Sequence, residues 1–363
     1  MGQEARQPAL EESRDGLTQI EQFFDEARHR FHRASLQAEG LIDRCFCLGQ
    51  HRILLRFAGP AMLPRIAPAF EHLPQASSSS AELTICVWDS ASTGVSMPPP
   101  PWILHDILAR GEIQGFSRDP IRTAFHLGSN TLSVLHKDQR KAVFWISDAA
   151  CLPYYESAKP FRTILHWWME SRNEQLIHAS GVGRSDGGVL MVGAGGAGKS
   201  TSALACLDSD LKYLGDDHCL LTPDPKPHVY SLYNSVALTL DTLEKISTLR
   251  KAVTNQDRLD SEKALIFLKD SHPKQLISGF PIRALFLPRV SGQAETTLTP
   301  ISSAQGLMGL APSTIFQLPG AGPANFQLLG KVVKKVPCYR INVGTRLDSI
   351  PKVISKFLNG NEK

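Results

Sequence analysis

The sequence predicts an α/β protein in which a phosphate-loop nucleotide domain (residues 158–363) follows a smaller strand-rich α+β domain (residues 1–157). Two observations carry this. Residues 187–217 read as a strand, a glycine loop and a helix, and end on paired aspartates. Upstream, residues 45–147 break into short apolar runs joined by tight connections, with no chemical motif and no internal repeat.

Composition sets the outer bounds. At 363 residues the chain is long enough for two domains. Its 42% hydrophobic and 20% charged residues describe a soluble globular protein. The net charge of +4 comes without a dense Lys/Arg block, so nucleic acid is not an expected partner. No apolar stretch approaches the length of a membrane span, and the polar start is no signal peptide, so no membrane is expected either. Seven cysteines form no metal-ligand spacing, and an odd number without a leader suggests a reducing cytoplasm.

Residues 1–15 are expected to be frayed. Leu17, Ile20, Phe24, Ala27 and Phe31 recur at three- and four-residue steps, one face of a helix over about 15–36 that packs on the body. Residues 45–48 and 51–57 read as a strand pair across Gly49-Gln50, 62–73 as a short helix, and 83–88 as an alternating strand. The prolines at 98–101 read as a stiff loop. Further strands are expected at 123–126, 131–136 and 141–147. The helix expected over 160–172 carries Trp167 and Trp168. Two adjacent tryptophans are not expected to face one core, so one is expected at a domain junction or an oligomer contact.

Residues 175–180 read as a strand with a turn at Gly181, pairing with the strand 189–192. Then Gly193-Ala194-Gly195-Gly196-Ala197-Gly198-Lys199-Ser200 fits the phosphate-loop pattern G-x-x-x-x-G-K-S. Backbone N–H groups must approach phosphate oxygens closely, and Gly193, Gly195, Gly196 and Gly198 remove the side chains that would obstruct them. Lys199 can place a charge on the β- and γ-phosphates, and Ser200, assisted by Thr201, can supply a hydroxyl to Mg²⁺. Asp216 and Asp217 end a short strand over 211–214. Ligands of open α/β sheets bind beyond the carboxyl ends of strands, so one carboxylate can bind Mg²⁺ and the other can accept a proton from an attacking hydroxyl. His178 comes near the nucleotide only if the strand register cooperates.

Downstream, strands are expected over 229–240 across Asn234, at 263–269, 282–287 and 338–343. Helices are expected at 243–253, 302–310, 312–318 and 350–358. Lys263 and Arg283 are cations that can reach a γ-phosphate or stand as solvated charges at strand ends, and Arg340 has no evident partner.

His178-Ala-Ser-Gly-Val, the loop Gly193 to Thr201, and Asp216-Asp217 together resemble the HPr kinase/phosphorylase superfamily, whose fold is related to phosphoenolpyruvate carboxykinase. The spacing matches as well: fifteen positions from His178 to Gly193 and sixteen from Ser200 to Asp216. The likeness is strong over residues 175–221, loose to the C-terminus, and does not reach the first 150 residues. It implies ATP and Mg²⁺ as cofactors, with Asp217 as the base toward a serine hydroxyl and Asp216 and Ser200 at the metal. It further implies Lys199 on the phosphates and His178 near the transferred group. The family's glycine-rich signature after the aspartates is absent; Pro223-Asp-Pro-Lys-Pro and residues 231–240 stand in its place. The chain therefore looks more like the divergent HPr-kinase-like group, which includes kinases of a lasso-peptide precursor serine. The expected function is a cytoplasmic ATP-dependent kinase with a peptide or protein acceptor. A small-molecule kinase and a slowly hydrolysing nucleotide-binding regulator are the rivals. The resembled kinases form hexamers, which leaves a homo-oligomer open.

Overall fold

The computed structural model describes residues 7–38 and 40–360, and of residues 7–16 the backbone alone. The first six positions of the start expected to be frayed lie outside the described residues. From Gln7 the chain is already helical: α1 spans Gln7–Gln37. It begins earlier than its apolar face because residues 8–12, Pro-Ala-Leu-Glu-Glu, place a proline in the first turn and good helix formers behind it. Ile20, Phe23, Phe24, Ala27, Phe31 and Ala34 are buried against Trp88, Val134, Val143 and Trp145.

Those partners belong to a six-stranded mixed sheet ordered β1-β2-β3-β6-β5-β4. Its strands are β1 (Leu41–Leu48), β2 (His51–Ala58), β3 (Leu83–Asp89), β4 (Ile121–His126), β5 (Thr131–His136) and β6 (Lys141–Ile146). All six strands expected upstream are present. The helix expected at 62–73 divides into Leu63–Ile66 and a 3₁₀ turn Ala67–Phe70, because Pro68 has no N–H with which to continue it.

The other sheet is also mixed. It contains β7 (Gln175–Ile177), β8 (Ala179–Arg184), β9 (Gly187–Val192), β10 (Lys212–Gly215), β11 (Cys219–Thr222) and β12 (His228–Ser231). A two-stranded sheet pairs β13 (Ser235–Leu238) with β14 (Ala264–Phe267). The long β15 (Gly279–Val290) joins β9 to β12, and also to β17 (Cys338–Val343), which carries β16 (Thr297–Ile301). Gly181 is not a turn. It lies inside β8 opposite Leu190, where a Cβ would stand 2.7 Å from the Leu214 side chain, so it serves close packing. The chain reverses at Ser185-Asp186 instead.

Helix α2 (Arg162–Glu170) is held between the two sheets. Trp167 and Trp168 are both fully buried in one apolar cluster with Phe46 and Leu55 of the first sheet and Leu176 and Leu220 of the second. The tryptophans do sit at a junction, as expected, but both share it: a helix enclosed between the two sheets has no outer face, so adjacent rings can share one core. Past the phosphate loop come α3 (Lys199–Leu204), α4 (Leu240–Lys245), α5 (Ser303–Ile315), α6 (Pro323–Lys335) and α7 (Ser349–Leu358). The helix expected at 243–253 is α4 followed by a 3₁₀ stretch, Ser247–Ala252. The two helices expected at 302–318 are one, with Pro312 inside and Ser302 and Gln305 forming a capping box. Helix α6 was not expected, although Leu329, Val332 and Val333 mark its buried face.

Strand direction places the site. β9 and β10 are both antiparallel to β8, so they run the same way; β15 is parallel to β9, and β17 to β15. The carboxyl ends of these four strands therefore open on one edge. Among the described residues no helix is long and apolar enough to cross a membrane.

Candidate active site

The loop leaves β9 at that edge. Gly196 and Gly198 have φ of 78° and 99°, a left-handed conformation that side chains disfavour. Gly195 lies outside that region, and nothing in the protein crowds it. Closeness to a phosphate would be its reason for lacking a side chain. Beside the loop is a cavity of about 650 Å³. Gly196, Gly198, Lys199, Ser200 and Thr201 line one wall; residues 237–239 and 343–345 face them. Ala197 lines the opposite flank of the loop. Lys199 is buried, and its Nζ donates to the carbonyls of Gly193 (2.9 Å) and Ala194 (3.1 Å). Burial lowers its pKa, against the opposing pull of Asp216 and Asp217.

Asp216 and Asp217 follow β10 directly. Asp216 is buried and accepts a hydrogen bond from the Ser180 hydroxyl, and the nearby Ser200 hydroxyl helps to offset the rise in its pKa. Burial, then the charge of Asp217, push its carboxyl above the ordinary value. A carboxylate and a serine hydroxyl beside a phosphate loop suit Mg²⁺, which takes one or two protein oxygens and completes its octahedron with phosphate and water. Among the described residues no cluster of three or more His, Cys, Asp or Glu offers a fuller metal cage.

Asp217 turns the other way. Its φ of 62° is left-handed, a conformation uncommon outside glycine. Its Oδ1 lies 3.4 Å from His178 Nε2 and its Oδ2 accepts from Lys159 Nζ at 2.7 Å. Burial alone would raise its pKa; the nearby His178 ring and the Lys159 charge outweigh burial and hold the carboxyl well below the usual range. His178 stands where β7 gives way to β8, adjacent to Ala179, which pairs with Val192 just before the loop. The register thus brings it to the site. Its backbone N–H bonds Thr314 Oγ1 (3.1 Å), and Gln317 Nε2 lies 3.1 Å from its Nδ1. An amide nitrogen only donates, so Nδ1 accepts and the ring proton sits on Nε2, the nitrogen 3.4 Å from Asp217 Oδ1.

All the residues singled out in the sequence meet at this edge, except the cations. Lys263 lines the cavity but is exposed. Arg283 donates to the Asp186 carbonyl at the turn before β9, the opposite end of that strand from the loop. Arg340 lines a separate cavity of about 450 Å³ with Pro288 and Met308. Lys159, Gln317, Ser180 and His218 were not singled out. Ser180 and His218 flank the motif residues and were in view. Lys159 and Gln317 lie 58 and 139 positions from their partners, beyond any spacing rule. His218 is buried with both ring nitrogens unpartnered, its ring 6.0 Å from that of His178. Burial, with nearby cationic side chains, lowers its pKa below the ordinary imidazole value.

Among solved structures the chain is similar to one described as the structure of the Hpr(Ser) kinase/phosphatase from Coxiella burnetii. Identity is 12% and the TM-score 0.29, over 52% of this chain and 99% of that one. No family model matches the chain, and neither does any curated protein.

Proposed function

We propose that this chain is an ATP-dependent kinase that transfers the γ-phosphoryl group to a hydroxyl, with a serine of a peptide or protein as the acceptor. One observation carries the reading: a phosphate loop, a buried Asp216 held by Ser180 and a second, differently held carboxylate meet at one sheet edge. A regulator that only binds nucleotide has no use for the second carboxylate. ATP would occupy the cavity, with its polyphosphate on residues 193–201. Lys199 would exchange its loop carbonyls for phosphate oxygens. Ser200 and Asp216 would hold Mg²⁺, which supplies charge neutralisation on the β- and γ-phosphates when bound.

Asp217 would take the acceptor proton. Its low pKa suits this role, because phosphoryl transfer passes through a loose transition state in which orienting the nucleophile matters more than base strength. His178, fixed by Gln317 and Thr314, keeps the carboxylate turned toward the acceptor. Residues 1–157, with no chemistry of their own, are proposed to recognise the acceptor.

The test is ADP release by purified protein given Mg·ATP, alone and with serine peptides or hydroxylated metabolites. Turnover that needs a peptide supports the proposal, and turnover with a metabolite instead makes the chain a small-molecule kinase. Tight ATP binding with no turnover under any condition would make it a regulator.

A further inference from the structure

Lys159 joins the first sheet's connection to α2, and the chain on both sides of it is fastened down. The Ala158 carbonyl accepts from Ser235 Oγ, and the Pro160 carbonyl accepts from Tyr233 Oη at 2.9 Å. Ser235, Tyr233 and Ala158 are buried. Ser235 opens β13, Tyr233 lies two residues before it, and the end of that strand, Ala237-Leu238, lines the large cavity. One short strand therefore both walls the cavity and holds the backbone of Lys159. The side chain is 17% exposed and ends on Asp217 Oδ2.

That position matters for phosphoryl transfer. Oδ1 of Asp217 lies 3.4 Å from Nε2 of His178, which is nearly buried and held from its other side. A carboxylate offers free lone pairs on both oxygens, and an acceptor hydroxyl that approaches on the Oδ2 side meets Lys159 there. On that approach the ammonium stands one hydroxyl oxygen away from the phosphorus, since reacting atoms sit about 3–3.5 Å apart before transfer. Arg283 is spent on Asp186 at the far end of β9, Lys199 bonds the loop carbonyls, and Lys263 lines the cavity exposed, so Lys159 is the cation paired with Asp217.

We propose that Lys159 is a catalytic cation that contacts the γ-phosphoryl oxygens during transfer, a role built into the segment between the two sheets. This rests on the kinase reading above. In the step, the acceptor oxygen forms its bond to the γ-phosphorus while the bond from that phosphorus to the β–γ bridging oxygen breaks. The hydroxyl proton passes to Asp217, ADP leaves with the bond's electron pair, and Lys159 keeps its protons throughout. Because the Lys159 backbone is pinned, only its flexible side chain has to shift from carboxylate to phosphoryl oxygen.

The experiment compares Mg·ADP affinity with and without aluminium fluoride, a mimic of the phosphoryl group in flight, for wild type, Lys159→Met and Lys159→Gln. Wild type should bind ADP much more tightly with the fluoride present. Both variants should lose most of that gain and about 10³-fold or more in turnover, as for other transition-state cations. Their affinity for ADP alone should stay within about threefold. Lys159→Gln keeps a donor for Asp217 Oδ2 and guards against Met leaving that carboxylate unsupported and the site disordered. If Gln preserves the fluoride gain, Lys159 merely holds Asp217 and the proposal falls. If wild type itself shows no gain, the kinase reading fails first and takes the proposal with it.

Discussion

Replacing Asp217 with Asn removes one proton acceptor and leaves the cavity walls untouched, since Asp217 does not line the 650 Å³ space. ATP affinity is expected to stay within about threefold, roughly 0.65 kcal/mol. A positioned proton acceptor contributes on the order of 10²–10⁴-fold, so kcat should fall by that factor, roughly 2.7–5.4 kcal/mol of activation free energy. Stability should change far less. The lost pair joins side chains that are 17% and 34% exposed, and solvent screening limits such a pair to about 1 kcal/mol. The assay is peptide-dependent ADP release from Mg·ATP, run beside an equilibrium ATP titration and a thermal melt. Transfer by the Asn variant at near the wild-type rate would show that Asp217 is not the acceptor of the proton. A parallel loss of ATP binding would place the residue in the nucleotide pocket instead.

Ser180 donates to Asp216 without facing the cavity. Partners that orient a metal ligand are typically worth 10–100-fold in metal affinity, so Ser180→Ala should raise the Mg²⁺ concentration for half-maximal turnover by about 10-fold. His51 on β2 joins Glu174 (2.6 Å) and Glu82 (3.4 Å), an ion cluster between the two sheets. Burial alone would lower the His51 pKa; the Glu174 bond and charge, with Glu82, outweigh it and raise the pKa above its ordinary 6.5. A raised folded-state value means the stabilisation is complete below 6.5 and disappears as pH climbs through the raised value. The melting-temperature advantage of wild type over His51→Gln should therefore be largest near pH 5.5 and shrink toward pH 8.5; an advantage that grows with pH would refute the assignment. Trp167→Ala and Trp168→Ala should each destabilise by about 3–5 kcal/mol in denaturant melts, because both rings are core. A near-neutral effect at either position would show that the ring is not part of the core between the sheets.

Much of the site could be read from the chain. The loop, its lysine and serine, the paired aspartates and the histidine lie within 178–217, where local rules suffice: glycines where phosphate must come close, carboxylates just beyond a strand's end. The alternation of short strands in the first 150 residues was also legible, because side-chain period and turn chemistry are local. Element ends were less so. Pro68 cut one helix while Pro312 did not cut another, and the same residue type acts differently according to what packs on it. The paired tryptophans were misjudged for a similar reason: one helix read alone has an inside and an outside, and α2 has two insides.

The sequence by itself determined the loop, because a glycine-rich phosphate-loop pattern is a statement about backbone and its residues are contiguous. The tertiary structure alone decided how the two aspartates differ. Asp216 faces Ser180 and Ser200, and Asp217 faces His178 and Lys159. Identical neighbours in the chain become different chemical groups because an environment is set by what folds against a side chain. For Asp217, one such group comes from 58 positions away.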